Sequence, residues 1–178
     1  MLHRETVSEN TFRLLEEITK HNAARNLALA GGTSLSLQIG HRISYDLDFF
    51  GEFNENELKG DLLFKYKYPL LNDINVIEGL RLFALQDIAA MKLEAIKGRG
   101  RKRDFYDLYY LLRLFDLSKM IEFNKVKFKS SNEFLIKKSL TYFVDAENDP
   151  EIVFPNNVEI VSWGKVKSKI SEELAKLL

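Results

Sequence analysis

The 178-residue sequence contains no cysteine, only three prolines and no net charge, because 26 basic residues balance 26 acidic ones. The absence of cysteine excludes disulfides and thiolate metal ligands, and it suits the cytoplasmic location that we expect. No apolar run approaches the ~20 residues of a membrane helix, so we expect no membrane association. Since the overall charge favours no partner, any interaction with nucleic acid must depend on local basic patches.

What the sequence does contain is sufficient for a hydrophobic core, with 46% hydrophobic and 12% aromatic residues. The apolar spacing predicts an α+β fold with strands in the first half of the chain and helices in the second. Asp87 is predicted to cap the N-terminus of one of these helices. The predicted helices are 5–21, 33–39, 55–64, 88–97, 103–115, 132–144 and 165–178, and the predicted strands are 26–30, 44–50 and 65–71.

Two adjacent glycines, Gly31 and Gly32, follow the first predicted strand and precede a short predicted helix. Glycine lets the backbone approach a ligand closely, and the free amides and dipole at a helix N-terminus favour a phosphate. Thr33 and Ser34 come next and could add hydroxyl donors. We therefore interpret residues 31–34 as a candidate phosphate-binding turn.

Asp46 and Asp48 lie two positions apart on a predicted strand, so both carboxylates leave the same face. Paired carboxylates can hold Mg²⁺ together with the phosphates of a nucleotide, and Arg42 could reach a phosphate oxygen. Two alternatives stay open, a plain solvated strand face and an EF-hand calcium loop. Asp46, Asp48, Gly51 and Glu57 fit the EF-hand spacing, although Phe50 stands where a ligand is needed.

A second group of charged residues lies on two predicted helices. Lys92, in a mostly apolar helix, could hold its ammonium near a triphosphate, although an ordinary lysine would reach solvent. Asp104 and Asp107 share one helix face, where they could orient Lys92 or act as a base. The simpler alternative is an Arg103–Asp107 salt bridge along that helix.

The stretch between these helices, which we name the basic segment, carries five cations and no acid. Its composition suits the phosphates of a nucleic acid, and the alternative is a solvated loop. Its candidate nucleic-acid-binding residues are Lys97, Arg99, Arg101, Lys102 and Arg103.

Taken together, these motifs resemble those of the AbiEii/AbiGii toxin family of nucleotidyltransferases. The similarity runs in order through residues 29–35, 41–50, 87–93, 103–109 and 137–147. It implies a polymerase-β-like nucleotidyltransferase core at 1–85, followed by a helical region at 86–178 that packs on the core. It also implies Mg²⁺, a nucleoside triphosphate donor, and a toxin of a bacterial toxin–antitoxin or phage-defence pair. Some members modify the 3′ ends of tRNA, and a cognate antitoxin would be encoded upstream.

The resemblance also assigns roles to individual residues. Phosphate contacts are carried over to Gly31, Gly32 and Thr33, metal binding to Asp46 and Asp48, a triphosphate contact to Lys92, and supporting polar roles to Asp104 and Asp107.

One departure concerns a third carboxylate, which such enzymes usually place on a later strand. Here the stretch from Asn54 to Lys65 is shorter than expected, and Leu62 stands where the carboxylate would fall. The adjacent Asp61 would face the other side of a strand. The third carboxylate is therefore Asp61 in a distorted register, or absent, or part of a stretch missing from this sequence. Without it, the chain would be a catalytically degenerate relative that binds nucleotide or RNA.

Overall fold

The computed structural model describes residues 1–51 and 68–177. The predicted α+β class is confirmed, with strands in the first half of the chain and helices alone in the second. The helices are α1 (Glu9–Lys20), α2 (Gly31–Ile39), α3 (Leu85–Gly98), α4 (Lys102–Leu111), α5 (Leu117–Lys127), α6 (Glu133–Ser139), α7 (Val144–Glu147) and α8 (Trp163–Ala175), and the strands are β1 (Leu27–Ala30), β2 (Asp48–Gly51), β3 (Asn75–Ile77) and β4 (Leu80–Leu82).

The four strands form one mixed sheet in the order β2-β1-β4-β3. β1 pairs antiparallel with β2 and parallel with β4, and β3 is antiparallel to β4. Every residue of β1 is buried, as expected for a central strand covered on both faces. Ala30 is paired with Asp48, so the end of β1, where α2 begins, lies directly beside the first residue of β2.

The β3–β4 hairpin was not predicted, because each strand has only three residues. Its turn is formed by Glu78 and Gly79, both with positive φ, at 51° and 83°. Two consecutive positive φ values are the mark of a type I′ hairpin turn. The predicted strand at 65–71 is irregular in its described part, 68–71, and the predicted helix at 55–64 lies outside the described residues.

Two hydrophobic clusters cover the two faces of the sheet. The smaller one contains Leu29, Leu82 and Leu15, and the larger one contains Ala28 and Ala30 together with buried residues of the later helices. The larger cluster thus crosses the predicted boundary at residue 85, and the division into 1–85 and 86–178 stays an interpretation.

Two local predictions at helix starts are wrong. The two glycines are not a separate turn, because α2 begins at Gly31 itself, whose φ of +67° follows the extended Ala30. Asp87 does not cap α3, which begins at Leu85; its buried carboxylate instead accepts backbone N–H groups from another segment. The predicted end of α2 at Gly40 is confirmed, with φ of +70°.

Helix α5 was not predicted from the sequence.

Across the described ranges, 1–51 and 68–177, the helices are too short or too polar to cross a bilayer.

Candidate functional site

A cleft of about 240 Å³ opens where the start of α2, the strand β2 and the facing sides of α3 and α4 meet. It brings together most of the residues that the sequence singled out. Its polar and glycine lining consists of Gly31, Gly32, Arg42, Ser44, Asp46, Asp48, Lys92, Arg99 and Arg103.

The glycine pair lies directly against the charged side chains of this cleft. A Cβ atom on Gly31 would collide with the Asp48 carboxylate, and one on Gly32 would collide with the Arg42 guanidinium. Gly31 also has a positive φ, which L side chains rarely adopt. Both positions therefore need glycine, and the backbone amides that begin α2 stay accessible beside the aspartates.

The alternation predicted for residues 44–50 is largely present. Ser44, Asp46 and Asp48 line the cleft, whereas Leu47 and Phe49 pack against the smaller core. The strand itself begins only at Asp48, and the residues from 40 to 47 are irregular. The EF-hand alternative is wrong, because β2 is paired within the sheet and no helix leads into the loop.

The side chains of Thr33 and Ser34 differ from their prediction. Thr33 is buried, and its Oγ1 bonds to Ser44 Oγ at 2.8 Å and donates to the Asp46 carbonyl. Ser34 is fully buried beside Gln38, whose side-chain amide donates to it. Because α2 begins two residues earlier than predicted, these hydroxyls point into the protein. Thr33 holds the irregular segment that carries Asp46, Ser34 bonds within α2, and neither residue lines the cleft.

Beneath the cleft lies a set of charged residues that we name the buried ionic cluster, formed by His41, Arg42, Lys92, Asp104 and Asp107. Lys92 Nζ lies 2.9 Å from Asp104 Oδ1 and 2.5 Å from Asp107 Oδ2. Arg42 donates to both oxygens of Asp107, at 2.6 and 2.9 Å. The two simpler alternatives are therefore wrong, since Lys92 does not reach into solvent and Asp107 does not pair with Arg103.

Arg42 and Asp107 stay charged at neutral pH. Burial raises the pKa of the Asp107 carboxyl, but the nearby Arg42 and Lys92 outweigh it and hold the pKa well below the usual value. Burial lowers the pKa of Arg42, but Asp107 outweighs that effect and raises it. Arg42 and Asp107 are therefore a buried ion pair that fixes both side chains in place.

Sequence reasoning gave His41 no role. Its Nε2 lies 2.6 Å from Asp107 Oδ1, its Nδ1 is buried without a hydrogen-bond partner, and its ring is 5.1 Å from that of Tyr110. Burial lowers the pKa of His41, outweighing the attraction of Asp107. The neutral ring therefore donates its Nε2 proton to Asp107. The only sequence signal was its position next to Arg42.

The basic segment is shorter than predicted, because only residues 99–101 lie between the helices α3 and α4. Its side chains are each held by an acidic partner. Lys97 pairs with Glu94 at 2.5 Å, Arg99 with Asp104 at 3.3 Å, Arg101 with Asp149 at 2.7 Å, and Arg103 with Asp46 at 2.8 Å.

Lys102 stands apart from the rest of the basic segment. It is 2% exposed, and its ammonium bonds to the Asp149 carbonyl at 3.0 Å and to Glu151 at 2.9 Å. This side chain ties the start of α4 to a later loop. Its predicted place on a nucleic-acid surface is therefore wrong.

The acidic residues that line the cleft, within residues 1–51 and 68–177, are Asp46 and Asp48. No group of three metal-ligating side chains converges in that part of the chain. Asp61 and Leu62 lie outside the described residues. Mg²⁺ commonly takes one or two carboxylates and completes its octahedron with water and substrate phosphate oxygens. The two carboxylates, next to the start of α2, therefore fit this ion.

A mixed sheet with a glycine-opened helix facing an Asp-x-Asp strand, above a buried lysine, defines a protein of the nucleotidyltransferase class. A family model described as "Nucleotidyl transferase AbiEii toxin, Type IV TA system" matches residues 13–64 and 66–175. The chain belongs to this AbiEii family. It is thus a nucleotidyltransferase toxin of a type IV toxin–antitoxin system, as the motifs predicted.

The chain is also similar to individual proteins. An uncharacterised protein, aq_aa25 of Aquifex aeolicus, is 33% identical over 191 residues, which cover 87% of this chain and 92% of that protein. The crystal structure of JHP933 from Helicobacter pylori shares the fold, with a TM-score of 0.60 and 19% identity over 96% of this chain and 93% of that one.

A second H. pylori structure, described as a candidate nucleotidyltransferase, has a TM-score of 0.51 and 20% identity over 96% of this chain and 99% of that one.

Proposed function

We propose that the protein transfers a nucleoside monophosphate from a nucleoside triphosphate to an RNA in the presence of Mg²⁺, with a tRNA 3′ end as the first acceptor to test. The observation that carries the proposal is the cleft in which Gly31 and Gly32 face Asp46 and Asp48. The reaction forms a bond between the RNA 3′ oxygen and the α-phosphorus and releases pyrophosphate.

The triphosphate is held by the start of α2. Gly31 and Gly32 carry no side chains of their own beside the Asp48 carboxylate and the Arg42 guanidinium, and the positive end of the helix dipole favours an anion there. Lys92 lines the cleft from the opposite side and adds a positive charge. Asp104 and Asp107 are positioning residues, because they fix the ammonium of Lys92 without themselves lining the cleft.

Asp46 and Asp48 are the residues that would hold Mg²⁺, together with phosphate oxygens of the substrate. When bound, the ion neutralises charge on the phosphates and makes a coordinated hydroxyl easier to deprotonate. The Asp46 side chain is 59% exposed, and it must exchange its contact with Arg103 to bind the ion. Arg103, released from Asp46, stays at the rim of the cleft, where a phosphate can take the place of the carboxylate.

The direct test is incubation of the purified protein with Mg²⁺, total RNA and each of the four α-labelled triphosphates in turn. We expect labelled RNA with the wild type and a loss of at least about 100-fold in rate for Asp46→Asn, since the charge of a metal ligand is removed. Asp73→Asn, at an exposed position outside the cleft, is the matched control. Undiminished transfer by the Asp46→Asn protein would contradict the mechanism.

A second candidate function is a catalytically degenerate relative that binds nucleotide or RNA. It is favoured by the two-carboxylate lining of the described cleft and by the short segment from Asn54 to Lys65. The family match is interrupted at residue 65, and the alignment with the Aquifex protein is longer than this whole chain, so that relative has residues that this one lacks. Binding of a triphosphate or RNA without label transfer to any acceptor would establish this candidate.

A further inference from the structure

A second depression, which we name the side groove, adjoins the cleft and has a volume of about 520 Å³. The two share Arg42, Ser44, Arg99 and Arg103 along their common edge. The side groove is therefore a continuation of the candidate active site, and none of the roles proposed above uses it.

The far wall of the side groove is residues 149–153, and both of its ends are fixed to the rest of the protein. At one end, Ile43 N–H donates to the Val153 carbonyl at 2.8 Å. At the other, Asp149 accepts from the Lys102 N–H at 2.8 Å and from Arg101 at 2.7 Å. The wall is held by these bonds without any ligand, so the groove is preformed.

The charge of the side groove is suited to a polyanion. Four arginines line it against two carboxylates, those of Asp149 and Glu151. The side chains of Arg99, Arg101 and Arg103 remain 55%, 58% and 44% exposed although each makes a salt bridge. A guanidinium has five N–H donors, so each keeps donors for a phosphate.

An exposed aromatic ring lies in the same groove. Tyr45 alternates with Leu47 and Phe49 along the chain, yet it is 65% exposed and lines the side groove with Ile152. Exposed tyrosine beside arginine is the combination that binds unpaired nucleic-acid bases, because the ring stacks on a base while the cations meet the phosphates. Duplex bases are already stacked and cannot use such a ring.

We propose that the side groove binds the single-stranded 3′ end of the acceptor RNA. A base near the 3′ end stacks on Tyr45, the adjoining phosphates contact Arg99 and Arg101, and the strand passes Arg103 to reach Asp46 in the cleft. This inference rests on the proposed function, since it requires the acceptor to be RNA. It implies that the side groove favours RNAs with an unpaired 3′ end over blunt duplexes.

The test measures RNA binding alone, by fluorescence anisotropy in Mg²⁺ without triphosphate. The probes are a labelled RNA hairpin with a short single-stranded 3′ overhang and the same hairpin with a blunt end. We expect the overhang to bind more tightly, and Tyr45→Ala to weaken that binding about 10-fold while Tyr45→Phe retains it. Tyr142→Ala, at a tyrosine 53% exposed outside the groove, is the matched control.

The contribution of the arginines to RNA binding is measured over a series of salt concentrations. Arg101→Ala should weaken overhang binding and lower the slope of log K against log salt by about 1, as expected for the loss of one phosphate contact. Arg13→Ala removes another exposed, salt-bridged arginine and should change neither quantity. Thermal melting of each variant checks that it is folded.

The outcomes separate this inference from the proposed function. Transfer to RNA that is indifferent to Tyr45→Ala and Arg101→Ala, or equal binding of the overhang and blunt hairpins, would overturn the side-groove inference alone. Overhang binding that needs Tyr45 and Arg101, without label transfer from any triphosphate, would support the groove and overturn the proposed reaction.

Discussion

Two buried lysines, each paired with aspartate, serve different purposes in this protein. Lys127 lies 2.5 Å from Asp87 and donates to the Pro69 carbonyl at 2.8 Å. Asp87 also accepts the N–H groups of Leu71, at 3.0 and 3.2 Å, and Asn72, at 3.2 Å. We name these five residues the structural clamp. It joins α3 and α5 to the chain that leads into the sheet.

Lys92 of the buried ionic cluster is 6% exposed against 1% for Lys127, and it lines the cleft. Every contact described for the clamp is internal, and burial lowers the pKa of Lys127 by more than Asp87 restores it. A buried lysine–aspartate pair is therefore no sign of a functional site by itself. The distinction is whether a ligand can reach the ammonium from a cavity.

The different roles of Lys92 and Lys127 are tested most directly by removing each ammonium in turn. Lys127→Met leaves Asp87 buried without its cation and should cost about 3–5 kcal/mol of unfolding free energy. Lys92→Met should cost less, because Arg42 and Arg99 still face the two aspartates, yet it should abolish nucleotide transfer. Urea unfolding and the label-transfer assay measure the two effects, and equal stability losses with equal activities would contradict the distinction.

Within the buried ionic cluster, Asp107 should matter more than Asp104. Asp107 contacts His41, Arg42 and Lys92, whereas Asp104 contacts Lys92 and the exposed Arg99. We expect Asp107→Asn to lose about 2–4 kcal/mol of unfolding free energy and Asp104→Asn about 1–2. Chemical denaturation of both variants measures the two losses of unfolding free energy. A larger loss for Asp104→Asn would show that Asp104 contributes more than Asp107 to holding Lys92.

The cluster also predicts a pH dependence that the clamp does not share. The folded-state pKa of His41 lies below its ordinary value of 6.5, so the unfolded chain takes up the proton first as the pH falls. The stability due to the neutral His41 is complete above about pH 6.5 and is lost below it. Asp107, whose pKa is also lowered, adds a second loss below its ordinary value of 3.8.

Unfolding free energies measured between about pH 7.5 and pH 5 should therefore fall for the wild type. His41→Gln should flatten that slope, and His21→Gln, at an exposed histidine, should not. If the unfolding free energy of the His41→Gln protein fell with pH as steeply as that of the wild type, a group other than His41 would be taking up the proton.

The smallest expected effect concerns the exposed salt bridge at the cleft rim. Arg103→Ala frees Asp46, so Mg²⁺ should bind about 2- to 5-fold more tightly by calorimetry in the absence of RNA, in keeping with the weakness of exposed ion pairs. Arg13→Ala should leave the affinity unchanged. Weaker binding of Mg²⁺ to the Arg103→Ala protein would show that the arginine supports the metal site.

The features of the cleft that depend on short stretches of the chain could be predicted from the sequence. The glycine pair follows β1 and Asp48 begins the strand β2 that pairs with it, so the two motifs lie side by side, and the alternation of residues 44–50 sets which side chains face the cleft. Gly40 as the end of α2 follows in the same way, because one glycine with positive φ terminates a helix.

Features that depend on distant partners could not be predicted. Asp87 was interpreted as a helix cap, because its true partner, Lys127, is 40 residues away and on a helix that the sequence did not reveal. Lys102 was interpreted as surface charge, because Asp149 and Glu151 come from a later loop. Tyr45 received no role from the sequence, and only its neighbours in space show that it borders a groove.

The contact between Arg42 and Asp107 joins residues 65 positions apart and has a consequence for synthesis of the protein. While the ribosome has not yet produced α4, the growing polypeptide has Arg42 and Lys92 but neither of the aspartates that neutralise them. Two like charges without counterions cannot be brought together in an interior. The buried ionic cluster can therefore form only after α4 has been synthesised, and products that end before α4 should lack a complete cleft.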